Sequence, residues 1–158
     1  MLKIIVIVIV LAIVGLLVYA AMQPEDFRIE RSATVKAPPE RIYPLIADLR
    51  AWGPWSPWEK KDPAMKRTFS GPDSGVGAAY AWEGDKNVGT GKMTILEATA
   101  PGKVVIKLEF LKPFEATNTA EFTLTPQGDS TAIHWAMYGK YNFLSKLVCV
   151  FMDMEKMV

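Results

Sequence analysis

Hydrophobic residues follow three different spacings along this chain. Between residues 4 and 22 they are almost continuous: nineteen positions without a charge, mostly Ile, Val and Leu. A run of this length matches the about 20 residues a helix needs to cross the hydrocarbon core of a bilayer. It has no polar face at any helical phase, so it does not read as a core helix of a soluble domain. From residue 77 to residue 139 the spacing is two. Tyr80 and Trp82 share a face of residues 77–84, and Met93 and Ile95 share a face of residues 91–98. Val104, Ile106, Leu108 and Phe110 stand opposite Lys107 and Glu109. Ala116, Asn118, Ala120, Phe122 and Leu124 stand opposite a row of Thr and Glu, and Ile133, Trp135 and Met137 stand opposite His134 and Tyr138. Alternation with one apolar face predicts half-buried antiparallel strands. The turn-forming stretches APGK and TPQGDS separate them.

In residues 142–158 the spacing becomes helical. Leu144, Leu147, Val148, Phe151 and Met152 form one stripe, with Asn142 placed to cap it. No C-cap glycine or polar tail follows, which predicts a helix cut short at Val158. Upstream, residues 27–36 alternate imperfectly and predict a first strand. Residues 37–49 predict a short helix that begins at Pro38 and Pro39 and is shortened or kinked at Pro44. The segment RAWGPWSPWEKKDP, residues 50–63, holds Trp52, Trp55 and Trp58, but Pro54 and Pro57 exclude a continuous helix. Its tryptophans can plug a core, wall a cavity mouth or meet a bilayer. Their bulk favours core packing for any one of them.

These patterns divide the chain into a tail of residues 1–3, a transmembrane anchor at 4–22, a linker at 23–26 that would hold the domain close to the bilayer, and one domain at 27–158. A cleaved signal peptide is the rival reading of the first segment, with small residues around Val18 and Ala20. Its basic region would be Lys3 alone, and the apolar run exceeds the usual signal core, which favours an uncleaved anchor. Lys3 and the amino terminus favour a cytoplasmic start and a domain outside the cytoplasm; Arg28, Arg31 and Lys36 pull the other way.

Composition narrows the chemistry. The formal net charge of +1 supplies no field for nucleic acid, and no nucleic-acid partner is expected. One cysteine, Cys149, and one histidine, His134, give no zinc ligand set, and no metal or other cofactor is expected. GTGKMT falls short of a phosphate loop, because Lys86 stands where the first glycine belongs and Met93 where the hydroxyl residue belongs. Strand phase turns His134 away from the apolar face. A Ser–His–acid arrangement is therefore not expected, and Glu83 and Glu97 are left as the remaining acids.

Several phrases together carry a family resemblance: VKAPPERIYPLIADLRAWGPWSPW, YAWEG followed by GTGKMTILEA, FLKPFEATNTAEFTLTP, and GDSTAIHWAMYGKY. The chain from residue 27 to 158 resembles the START-like, or SRPBCC, superfamily and its polyketide cyclase/dehydrase and lipid-transport branch. The resemblance implies an α+β helix-grip fold, in which a curved antiparallel sheet wraps a long C-terminal helix and encloses an apolar cavity. The membrane anchor and the shortened last helix are departures from that pattern.

Strand phase places Tyr80, Trp82, Met93, Ile95, Ile106, Leu108, Phe110, Asn118, Trp135 and Met137 on one concave face, and helical phase opposes Leu147 and Phe151 to it. Trp58 joins them at the mouth. Asn118 is the one amide on this apolar face. It either bonds a nearby backbone group or orients a ligand inside the cavity. The expected function is a membrane-anchored, non-catalytic module that holds a hydrophobic or amphipathic, lipid-like small molecule. A cyclase or dehydratase on the same fold, or an interaction domain with a filled core, are the alternatives.

Overall fold

The computed structural model describes residues 1–151, without the side chains of Leu2, Leu144, Val148, Cys149 and Phe151. It divides into two units: residues 28–139, and residues 1–27 together with the segment from Lys140 onward.

The larger unit is an α+β fold built on one curved antiparallel sheet. Its strands are β1 (Asp26–Val35), β2 (Lys66–Ser70), β3 (Ala79–Glu83), β4 (Thr90–Thr99), β5 (Lys103–Lys112), β6 (Ala116–Gln127) and β7 (Ser130–Lys140). They lie in the order β1-β7-β6-β5-β4-β3-β2. Strands β2 to β7 follow one another as antiparallel neighbours, which local alternation and short turns favour. Only β1 joins out of sequence. Ser32 meets His134, and Arg28 lies over the Tyr138 ring, so β1 runs antiparallel to β7. The buried Thr131 hydroxyl of β7 donates to the Ala37 carbonyl at 2.7 Å, tying the end of β1 to the same edge.

Helix α2 (Pro39–Ala47) starts with proline at its first turn, where no N–H is needed, and tolerates Pro44 inside. A 3-10 turn (Leu49–Trp52) follows, its first turn capped by Asp48, which accepts from the Arg50 N–H at 2.9 Å. Helix α2 packs across β5 and β6. Ile42, Ile46, Ala47, Leu49 and Trp52 form one core cluster with Tyr80, Ile95, Val104, Ile106, Phe122 and Leu124. Helix α3 (Pro57–Lys61) is a single short turn after Ser56.

The smaller unit holds α1 (Leu2–Met22) and α4 (Phe143–Phe151), which pack together. Helix α1 is exposed along nearly all its length and is long and apolar enough to cross a membrane. A helix of this kind can serve as an anchor or as a signal sequence. Asn142 caps α4 by accepting from the Ser145 N–H at 2.7 Å. Phe27 stacks on Tyr141 at 4.8 Å, and the Glu25 carbonyl accepts from the Tyr141 N–H. Lys146, buried on α4, reaches Glu25 at 3.7 Å.

The long terminal helix expected in the grip of the sheet is not among the described elements. Helix α4 has nine residues and belongs to the unit of α1, so Leu147 does not count among the residues of the sheet's unit. The side chain of Phe151 and all of residues 152–158 lie outside the described residues. Within the larger unit, α2 and the 3-10 turn cover the apolar face. Strand β2 is not among the strands that alternation marked out, which were residues 27–36 and those from residue 77 onward.

Candidate functional site

Register assembles the apolar face row by row, because directly paired residues of antiparallel strands project to the same side. One row runs Ala116, Phe110, Gly91, Trp82, Arg67 from β6 to β2. The next runs Gly139, Asn118, Leu108, Met93, Tyr80, Phe69. A third holds Met137, Ala120, Ile106 and Ile95, and a fourth Trp135, Phe122, Val104 and Ala98. All ten sheet residues picked out by strand phase fall in these rows. A bulge at Leu96, which is exposed, keeps the phase in step between Ile95 and Ala98.

Burial across the face is graded. Ile95, Ile106 and Tyr80 are closed off, and Trp82, Met93 and Met137 nearly so. Leu108, Phe110 and Trp135 are only half-buried and pack against the fringe of the core. Trp135 is shallow because β7 lies next to the edge strand β1, while α2 covers β5 and β6.

Asn118 sits inside this face with 9 % of its surface exposed. Its Oδ1 is buried and has no hydrogen-bond partner among the described residues. Leu108 is its neighbour on β5; on β7 the neighbour is Gly139, which has no side chain. A buried unpaired acceptor costs about 1–3 kcal/mol.

The tryptophan segment divides its work. Trp52 is buried, and its ring N–H donates to the Ile46 carbonyl at 3.0 Å. Trp55 is more open and donates to the Leu45 carbonyl at 3.0 Å. The two rings lie 4.7 Å apart, and both meet Phe122 edge-on. They seal the core and bind α2 to the sheet. Trp58 is exposed on α3 with the Lys61 ammonium 3.8 Å from its ring centre, and the structure does not bring it into the core cluster.

One polar group beside the face escaped the sequence reading. The Tyr80 hydroxyl donates to Glu59 Oε1 at 2.6 Å, and Arg67 Nε donates to Glu59 Oε2 at 2.7 Å. The Glu59 side chain is only 10 % exposed. Burial, and then the bond to Glu59, push the Tyr80 phenol far above its ordinary range. Glu59 likewise raises Arg67. Phe69 stacks on Tyr80 at 4.9 Å. The group fastens α3 to β2 and β3. With both oxygens engaged by donors, Glu59 is placed as an acceptor and not as a free base. Glu83 and Glu97, the acids left over by the sequence, are open to solvent and face Lys66 and Lys103.

On the outer face the structure departs from a second expectation. His134 Nδ1 lies 3.0 Å from Ser32 Oγ, and His134 Nε2 lies 3.5 Å from Glu30. A serine, a histidine and an acid thus do meet. Each lies on the outer side of two neighbouring strands, and Glu30 is held below the ordinary carboxylate range chiefly by its bond from Arg28. His134 faces away from Trp135 and Ile133, as its phase requires. Among the described residues no group of three His, Cys, Asp or Glu side chains could hold a metal ion.

This architecture has relatives. Mll3558 from Rhizobium loti superposes with a TM-score of 0.61 at 14 % identity, covering 84 % of this chain and 92 % of that one. A protein from Arthrobacter aurescens gives 0.57 at 19 % identity, over 82 % of this chain and 77 % of that one. The major latex-like protein 151 of Panax ginseng gives 0.54 at 14 % identity, over 84 % and 97 %. These likenesses show the fold alone. No curated protein matches the sequence. The family described as polyketide cyclase/dehydrase and lipid transport matches residues 26–153, and the chain belongs to that family.

Proposed function

We propose that this protein is a membrane-anchored module that binds a hydrophobic or amphipathic small molecule against the apolar face of its sheet, without catalysing a reaction. The observation that carries the reading is Asn118. A face built from Leu108, Phe110, Met93 and Trp135 holds one amide, whose Oδ1 is buried and without a partner among the described residues. A ligand with a donor group satisfies that oxygen while its apolar body covers the half-buried side chains around it. Membership of a family whose description includes lipid transport supports the same class of ligand. An apolar α1 in the same chain, long enough to cross a membrane, supports access to such molecules.

A cyclase or dehydratase would need a proton-transfer group directed at the bound molecule. Of the ionisable groups on or beside the face, Arg67 and Tyr80 are both bonded to Glu59, and His134 lies on the other side. Native mass spectrometry of the full chain ejected from detergent micelles tests the proposal. Co-ejection of an apolar species of defined mass, reduced in the Asn118→Leu variant, is the expected result. A chain that never retains one after exposure to a total lipid extract refutes it.

A further inference from the structure

Five features collect at one end of the sheet. Strand β1 begins there, since Arg28 lies over Tyr138 near the end of β7. The β5–β6 hairpin turns there, since Phe110 pairs with Ala116 and Asn118 with Gly139. The β3–β4 loop turns there as well, since Thr90 pairs with Lys112. Helix α3 ends there, its Asp62 accepting from the Asp85 N–H at 2.9 Å. The fifth feature is what the hairpin exposes. Leu111 and Phe114 stand 54 % and 56 % open to solvent, with exposed Lys112 between them.

We infer that this hairpin tip dips into the interface of the phospholipid bilayer to which the chain is anchored. The inference rests on the anchor reading of α1. Three residues, 23–25, separate α1 from β1, and three extended residues reach roughly 10 Å. The end of the sheet where β1 starts is therefore the end tethered near the membrane surface. Large apolar side chains with a neighbouring lysine suit that layer: the apolar groups enter the acyl boundary and the ammonium stays among the phosphates. Trp58 with Lys61 on α3, and exposed Lys86 on the β3–β4 loop, add an aromatic and two cations at the same end. Trp and Lys side chains at a membrane surface anchor by the same division of apolar body and charged tip. The tip adjoins the Asn118 row, so a lipid leaving the bilayer there has a short path to the apolar face.

The full chain is reconstituted in vesicles of phosphatidylcholine with a minor share of phosphatidylglycerol. In a Cys149→Ser background, Glu115→Cys carries an environment-sensitive fluorophore at the tip, and Val76→Cys carries it at the opposite end of the sheet. The expected result is blue-shifted emission at position 115, quenched by lipids bearing a nitroxide near the headgroup, with neither effect at 76. Leu111→Ser combined with Phe114→Ser should abolish both effects at 115. Equal emission and equal quenching at the two positions overturn the proposal. So does a blue shift at 115 that grows with protein density and resists lipid quenching, which assigns the tip to a second copy. Alkaline extraction of the same vesicles reports on the anchor separately. A retained chain with an unquenched tip defeats the hairpin alone, and a released chain with a quenched tip defeats the anchor alone.

Discussion

Replacing Asn118 with leucine separates a ligand-binding amide from a structural one. The side chains have the same number of heavy atoms and the same branching, with leucine the larger, so the change removes polar atoms without opening a cavity. Among the described residues no donor reaches the buried Oδ1. Such an orphan costs about 1–3 kcal/mol, and a leucine facing Leu108 has no such cost. Allowing for imperfect packing of the branched side chain, the variant should gain about 1 kcal/mol. For a chain of this size that raises the midpoint of thermal unfolding by about 2–4 °C. Ligand affinity should move the opposite way. One lost hydrogen bond is worth about 0.5–1.5 kcal/mol net, a weakening of about 2- to 10-fold. Both quantities are read on the full chain in detergent micelles: melting without ligand, and displacement of a fluorescent long-chain alcohol. A fall in melting temperature would refute the reasoning. It would mean that the amide supports a backbone partner, and that its loss leaves that partner unpaired.

Two further predictions test the packing around the face. At Gly91 an added Cβ would lie 2.4 Å from the Trp82 ring and 2.7 Å from the Glu109 carbonyl, so Gly91→Ala should destabilise by about 1–3 kcal/mol in a denaturant melt, and Trp82→Leu in the same chain should recover only part because the carbonyl cannot move. The Tyr80 phenol is raised above its ordinary 10.0 by burial and by Glu59, so its stabilising effect is whole below pH 10 and is lost as pH climbs beyond; the stability difference between the protein and Tyr80→Phe should shrink above pH 10, and a difference that stays constant there would contradict the buried bond to Glu59.

The rows of the face were legible because alternation and antiparallel pairing act together. Once Ile106 and Leu108 are assigned to one side, their partners Ile95, Ala120, Met93 and Asn118 must share it. Strand phase reports the side, not the depth, which is why Trp135 proved half-buried. Strand β2 was hidden by its composition, since KRTFS has one large apolar residue. Glu59 could not be paired with Arg67 and Tyr80 in advance, because α3 is too short for a periodic signal and its partners lie on two strands. Ser32 and His134 are 102 residues apart and meet only because β1 closes against β7. For the last helix, periodicity and the Asn142 cap were readable, but nothing in residues 142–151 says that α4 groups with α1.

The polar groups around the face also bear on why one of them stands unpaired. The Trp52 and Trp82 ring N–H groups donate to backbone carbonyls, Thr131 donates to Ala37, and Glu59 takes both Arg67 and Tyr80. Among the described residues the one buried side-chain atom left without a partner is Asn118 Oδ1. A fold that satisfies so many awkward groups, including a buried carboxylate, has no packing reason to keep an amide where valine or leucine would fit the strand. Its backbone register needs nothing from that side chain, since the pairing of β6 with β5 and β7 is made by main-chain groups. Under the proposed function, the amide is a cost that a donor on the bound molecule would recover. On that reading an asparagine suits this point better than a charged residue: it would accept from a ligand's hydroxyl without the several kcal/mol that an isolated buried charge would cost.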